Sequence, residues 1–166
     1  SSYFFSAEYP EYVCSTFNDF FIMLLTSEWA GMPANPKDGN LAIYTAPNGG
    51  QFPVGVNLAQ GTGLFRQCLN GTMGCEGANT STSTSCVAQD DLVGTGFEQP
   101  GAACDPNSIV GGGTGWLTTT GNVVPGEVVK LRIAIWDTSD TSFDSAALID
   151  SFQWKIDPTV PGTGVE

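Results

Sequence analysis

Leu131-Arg132-Ile133-Ala134-Ile135-Trp136-Asp137-Thr138-Ser139-Asp140-Thr141-Ser142-Phe143-Asp144-Ser145-Ala146-Ala147-Leu148-Ile149-Asp150 is an apolar run, an acidic turn and a second apolar run. Val129, Leu131, Ile133 and Ile135 alternate with Val128, Lys130 and Arg132. A period of two sends successive side chains to opposite faces of a strand, so 128–136 reads as a half-buried strand. A further strand is predicted from Ala146 to Ile156. Between them Asp137, Asp140 and Asp144 fall within a tight connection. Hard cations such as calcium take several oxygen ligands, often Asp carboxylates mixed with loop carbonyls, and the unit therefore suggests a calcium clasp. The spacing is not that of an EF-hand, because its Gly and terminal Glu are absent. Asp residues also suit turns and solubilise a hairpin, and that reading stands beside the first.

Outward from this unit the chain continues as short strands and turns. Residues 2–5 and 40–44 read as strands. Phe20 to Leu25 is a continuous apolar run of strand length, rich in β-compatible side chains. Asn48-Gly49-Gly50 signals a turn. Phe52, Val54, Val56 and Leu58 alternate as in a half-buried strand, and Pro53 places it at an edge. Gly115 to Thr120 is a strand, followed by a turn at Pro125-Gly126. No segment is a convincing helix. The fold class predicted is all-β: an antiparallel β-sandwich or jelly roll. It forms a single domain over 1–157 with a loop-rich insertion at 60–115, and 158–166 reads as a linker-like tail.

The chain has 166 residues, 41% apolar, enough for a core of its own. Its net charge of -12 lacks any basic stripe to neutralise phosphates and speaks against nucleic acid and anionic membranes as partners. With no His, Ser-His-Asp and Cys-His catalysis and His-ligated metals are excluded. No run approaches the roughly 20 apolar residues of a membrane-spanning helix, so direct membrane insertion is not expected. Among the cysteines Cys14, Cys68, Cys75, Cys86 and Cys104 there is no C-x-x-C. Four of them lie in the loop-rich stretch, which suggests disulfides and an exported protein. Nearest-neighbour pairing gives Cys68–Cys75 and Cys86–Cys104 with Cys14 free, although spacing alone does not fix the connectivity.

Two segments carry a family resemblance. Phe4-Phe5-Ser6-Ala7-Glu8-Tyr9-Pro10-Glu11-Tyr12-Val13 with Phe17-Asn18-Asp19-Phe20-Phe21 resembles the opening of the choice-of-anchor L family. Pro125-Gly126-Glu127, then Leu131 to Asp137 and Phe143-Asp144-Ser145, resembles its closing signature. Asn40-Leu41-Ala42 and Phe52 to Asn57 sit where the family carries its middle strands. The resemblance implies a β-rich, extracellular or cell-surface bacterial module without established enzymatic activity. The matching polar residues are Glu8, Asn18, Asp19, Asp137, Asp140, Asp144 and Ser145. The sequence departs from the pattern at Ala7, where an acid is common, and in the insertion from 68 to 104. Family domains also carry strands before the opening motif that this chain nearly lacks. The expectation is that the start is processed, or that another chain completes an open sheet edge.

The cation hypothesis therefore rests on Asp137, Asp140 and Asp144 joined by Glu8 and Asp19. A second candidate is a carbohydrate-binding module in which exposed Trp29 and Trp116 stack on sugars. Core packing is the plainer role for Trp136 and Trp154, which lie in predicted strands. Glu8, Glu11, Glu28, Glu98 and Glu127 offer carboxylate pairs for glycoside hydrolysis, as any acidic protein does, but no nucleophile–base pairing accompanies them. The reading is a non-enzymatic, calcium-stabilised surface module acting in adhesion or self-assembly. Its partners would be other copies of itself or surface and matrix components.

Overall fold

Ser2–Ser6 forms a strand buried along its whole length, and the molecule is layered around it. The computed structural model describes residues 1–77, 79–101, 104–107 and 109–166. Its strands are β1 (Ser2–Ser6), β2 (Phe20–Thr26), β3 (Ile43–Thr45), β4 (Gln51–Pro53), β5 (Gly71–Met73), β6 (Ser81–Ser83), β7 (Gln99–Pro100), β8 (Ile109–Val110), β9 (Gly112–Thr120), β10 (Lys130–Trp136), β11 (Ser145–Ile149) and β12 (Gly162–Val165). Helix is confined to short turns, and the fold is all-β. One sheet has the order β11-β1-β9-β12-β3-β4, and β2 with β10 forms a second. Every ladder is antiparallel except that of β12 on β3.

Alternation along β1 divides its side chains between two cores. Phe4 joins Leu117 of β9 in the main core, facing Phe21 and Met23 of β2, with Leu131 and Ile135 of β10 at its margin. Tyr3 and Phe5 point the other way and pack with Leu92, Phe97 and Ile109. Tyr3 stacks on Phe5 at 4.2 Å, and Phe5 on Phe97 at 5.4 Å. The loop-rich insertion is therefore a third layer that covers the outer face of the large sheet. It also sends Leu64 and Phe65 into the main core, where Phe65 stacks on Tyr9 at 5.2 Å. Each such buried side chain contributes about 1.5–3 kcal/mol, which keeps the insertion in place despite its polar composition. The β1–β9 ladder shifts register between Tyr3 and Phe5, and Thr114 Oγ1 accepts the Phe4 N–H there at 3.2 Å. The bulge leaves no buried donor orphaned at that point.

The disulfides are Cys68–Cys86 and Cys75–Cys104, with Cys14 free, so nearest-neighbour pairing is not what forms. The reason lies in the β5–β6 hairpin. Its register, Gly71 against Ser83 and Met73 against Ser81, brings Cys68 opposite Cys86 when carried outward along the two arms. Cys75 lies beyond the other end of the ladder, near the turn, and meets Cys104 instead.

Several predicted boundaries differ: the strand read over 40–44 is Ile43–Thr45, and the one read from Gly115 begins at Gly112. The edge strand expected over 52–58 stops at Pro53, and Val56–Leu58 is a 3-10 turn with Val56 and Leu58 buried. Gly55 lies so close beneath Asp19 that an added Cβ would stand 2.6 Å from its carbonyl oxygen. The Val56 N–H bonds that same oxygen at 3.2 Å. A turn, not a strand, thus buries these apolar positions. The strand expected from Ala146 to Ile156 ends at Ile149, because Ser151 takes φ 52 and breaks the extended backbone. Trp154 consequently lies outside any strand and is exposed, and Trp136, although in β10, is exposed as well. Finally, the linker-like tail contributes β12, which sits between β9 and β3. Thr163 anchors it: its Oγ1–H donates to Leu41 O at 2.9 Å, and the hydroxyl shares a 2.8 Å hydrogen bond with Thr119. The Pro and Gly composition of 158–166 masks this threonine contact.

Candidate metal centre

Three strand ends meet at one corner of the sandwich. After β1 the chain turns at Ala7 and Glu8: the Ala7 N–H bonds Asp144 O at 3.0 Å, and the Glu8 N–H bonds Ser6 Oγ at 3.1 Å. The following segment buries Tyr9 and Val13 in the main core and returns at Asn18-Asp19 to start β2. Asp137 follows the last residue of β10 and begins the crossover to β11. Thr138 closes the corner. Its hydroxyl accepts the Asn18 N–H at 3.2 Å and donates to Asn18 O at 2.6 Å, while Ser139 Oγ donates to Thr16 O at 3.1 Å.

This stitching brings carboxylate oxygens of Glu8, Asp19 and Asp137 within 4.8 Å of one another. Glu8 and Asp19 are each only 1% exposed. Glu8 Oε2 accepts the Asp19 N–H at 3.1 Å. Glu8 Oε1, Asp19 Oδ1 and Asp137 Oδ1 are buried without a hydrogen-bond partner, as is the hydroxyl of Ser145. Burial pushes the Glu8 carboxyl up to about 7; the Asp19 N–H opposes this, and the charges of Asp19, Asp137 and Asp140 add to it. Burial also raises Asp19; the nearby Ser145 hydroxyl opposes it, and Asp137 and Asp140 push in the same direction as burial. No Lys or Arg charge is among the influences on Glu8 and Asp19, which are burial, hydrogen bonds and neighbouring carboxylates. Carboxylates taken out of water cost several kcal/mol each unless paired, and here like charges face one another.

Two chemistries relieve such a cluster: a shared proton or a cation. Oxygens bound to one calcium at about 2.3–2.6 Å lie at most about 5 Å apart, which the observed spread satisfies. Glu8, Asp19 and Asp137 are the residues that could hold the ion, and the Ser145 hydroxyl is a further oxygen beside Asp19. Asp140 stands outside the trio; its Oδ1 accepts the Ser142 N–H at 2.8 Å, a turn contact, while its charge still acts on Glu8 and Asp19. Asp144 is exposed and enters the corner through its carbonyl, which holds Ala7. Ser145 was legible only as part of the Asp144-Ser145 motif, since a serine at a strand start carries no ligand signal of its own.

Residues 2–153 match the profile of the choice-of-anchor L domain. The chain belongs to this family. Choice-of-anchor L domains are modules of bacterial surface proteins and are not known as enzymes. No curated protein and no solved structure matches the chain. Two disulfides fit an extracellular location, and no helix among the described residues is long and apolar enough to cross a membrane. In this choice-of-anchor L domain the opening motif supplies Glu8 and Asp19 and the closing motif supplies Asp137. The two ends of the signature thus converge on one corner of the fold.

The other candidates lie elsewhere. Trp29 is partly buried, with its indole N–H donating to Pro33 O at 3.0 Å. Trp116 leans edge-on against Tyr3 at 5.6 Å. Glu127 serves as a structural acceptor for the hydroxyl of Ser27 and the N–H groups of Glu28 and Val124. These bonds stabilise the charged carboxylate and hold its pKa below the ordinary value.

Proposed function

We propose that this choice-of-anchor L domain is a non-enzymatic, extracellular surface module, clasped by calcium at Glu8, Asp19 and Asp137 and acting in adhesion or self-assembly. One observation carries the reading: carboxylate oxygens of Glu8, Asp19 and Asp137 lie within 4.8 Å of one another, and each of the three side chains has one buried oxygen without a hydrogen-bond partner. A divalent ion neutralises the repulsion and supplies the missing partner at once. Because the ligands come from the ends of β1 and β10 and the start of β2, the ion ties both sheets together, and its binding energy adds to folding stability. Calcium suits the site better than magnesium, because irregular loop oxygens meet its flexible coordination more readily than a strict octahedron. Family membership supports the surface role.

Thermal melting tests the proposal. Millimolar calcium is expected to raise the melting temperature by several degrees over chelator, as one tightly held ion does in a domain of this size. Identical melting in both conditions contradicts it.

A further inference from the structure

β11 is the edge of the large sheet remote from β3 and β4, and β10 is the strand of the small sheet that lies beside it. A cavity of ≈ 380 Å³ opens between them, lined among others by Met23, Leu131, Ile133, Ile149, Phe152 and Trp154. That is more than twice the roughly 150 Å³ that accommodates a benzene ring. Ile133 and Ile149 point inward by the alternation of their strands, yet both are exposed. Among the described residues β10 pairs with β2 alone, so its other edge offers N–H and C=O groups outside any ladder beside an apolar gap.

The same chain carries a segment patterned to fill such a gap. Phe152-Gln153-Trp154-Lys155-Ile156-Asp157 alternates apolar and polar residues, the pattern of a strand. It enters no ladder, and Trp154 is 67% and Ile156 fully exposed. Its ends are tied within its own molecule. The Asp150 N–H bonds Ser1 O at 3.0 Å, and Thr159 exchanges two hydrogen bonds with the Asn122 amide at 2.9 and 2.8 Å. It lies at the lip of its own cavity without pairing there.

We infer that this face is a self-docking surface on which Phe152–Asp157 of a second copy adds as a strand to the free edge of β10, reciprocally between the two copies. Charge selects the register. An antiparallel alignment that sets Asp157 opposite Arg132 puts Lys155 opposite the neutral Ala134, and Ile156 and Trp154 beside the inward Ile133 and Ile135. Of the two neighbouring alignments of the same face, one pairs Asp157 with Lys130 but sets Lys155 against Arg132, a like-charge pair, and the other leaves Asp157 opposite Ala134 without a charge partner. Only the alignment of Asp157 with Arg132 gains an ion pair without a like-charge contact. Reciprocal pairing is the isologous contact of a two-fold dimer and uses main-chain hydrogen bonds for affinity and alternate side chains for fit. The inference deepens the self-assembly reading and is independent of the ion.

The test is sedimentation equilibrium of the protein across a rising concentration series at saturating calcium, with melting recorded in parallel. A dimer is expected. Ile156→Lys, at a fully exposed position, should weaken association by roughly tenfold or more with unchanged melting. Arg132→Asp and Asp157→Arg should each weaken it, and the double variant should restore it. A monomer throughout, or a dimer indifferent to Ile156→Lys, overturns the inference. So does a monomer that instead binds an added peptide of alternating Ile and Glu, because the groove then belongs to a foreign strand. Repeating the series in chelator separates the two readings: association that persists while calcium no longer raises the melting temperature places the contact on this face independently of the ion, whereas association lost with melting intact overturns that independence.

Discussion

The main-chain N–H of Asp19 donates to Glu8 Oε2 at 3.1 Å, joining the exit of β1 to the entry of β2 and leaving Glu8 Oε1 turned into the acidic corner without a partner. One side chain therefore has two duties, a structural acceptor on one oxygen and a charge on the other. Glu8→Gln keeps an acceptor for Asp19 and removes the charge. The variant is expected to lose most of the melting increase that calcium gives the parent, while in chelator it melts no lower than the parent. Calcium-dependent melting curves of the two proteins check this. A Gln variant with the parent's full calcium response would remove Glu8 from the site.

Asp137 and Asp144 separate ligand from turn. Asp137→Asn should weaken calcium by roughly tenfold or more, because it removes a charged ligand from a trio that has no other compensation. Asp144→Asn should leave the affinity within about twofold, because the carboxyl of Asp144 is exposed and its carbonyl survives the change. Titration calorimetry on both variants reads the difference directly. Equal losses would place the ion in the hairpin turn and not at the corner.

Acidity gives a further signature. In chelator, Glu8 in the fold holds its proton up to about 7 against an ordinary value of 4.5, and Asp19 is raised as well. The folded state thus binds more protons than the unfolded chain in this window. Stability without calcium is greatest below about pH 4.5 as far as these groups are concerned, and falls as pH rises towards 7. With calcium bound the carboxyls are already deprotonated, and the ion's affinity rises over the same interval. Urea titrations from pH 4.5 to 7.5 with and without calcium should diverge steadily with pH. Parallel curves would contradict the linkage.

The two disulfides should differ in consequence. Cys68–Cys86 closes the β5–β6 hairpin, with a sequence separation of 18, and Cys68 is buried in the main core. Loop closure of that length stabilises by about 3 kcal/mol. Replacing both cysteines with Ser is expected to cost about that much in urea denaturation and also to loosen Phe65. Replacing Cys75 and Cys104 should leave the Phe65 environment intact, since that bridge joins the hairpin turn to the outer loop. Aromatic NMR signals of Phe65 distinguish the two outcomes.

Where side-chain alternation coincides with pairing, the fold was legible: β10 falls within the segment read as a strand, β1 and β2 run one residue past theirs, and β9 overlaps its segment but starts at Gly112 and not at Gly115. Alternation failed at Val56 and Leu58, because a 3-10 turn beneath Asp19 buries them as well as a strand would. It failed again at Phe152 to Ile156, where the pattern is present but Ser151 breaks the backbone before it. The tail was misread because Pro and Gly outweigh a single Thr in composition, while Thr163 is the residue that fastens it. At the site, Glu8, Asp19 and Asp137 stood among the five acids proposed, but spacing along the chain favoured Asp137, Asp140 and Asp144 as a unit. Proximity in sequence is not convergence in space: the trio forms only when the ends of β1, β2 and β10 meet. The cysteine pairing was hidden for the same reason, since it follows the hairpin register and not the loop lengths.

A crystal structure grown in millimolar calcium tests the central claim most directly. The account predicts a density peak in contact with Glu8 Oε1, Asp19 Oδ1 and Asp137 Oδ1, with six to eight oxygens at about 2.3–2.6 Å. A corner without such a peak, in which Glu8 and Asp19 close to hydrogen-bonding distance around a shared proton, would contradict it.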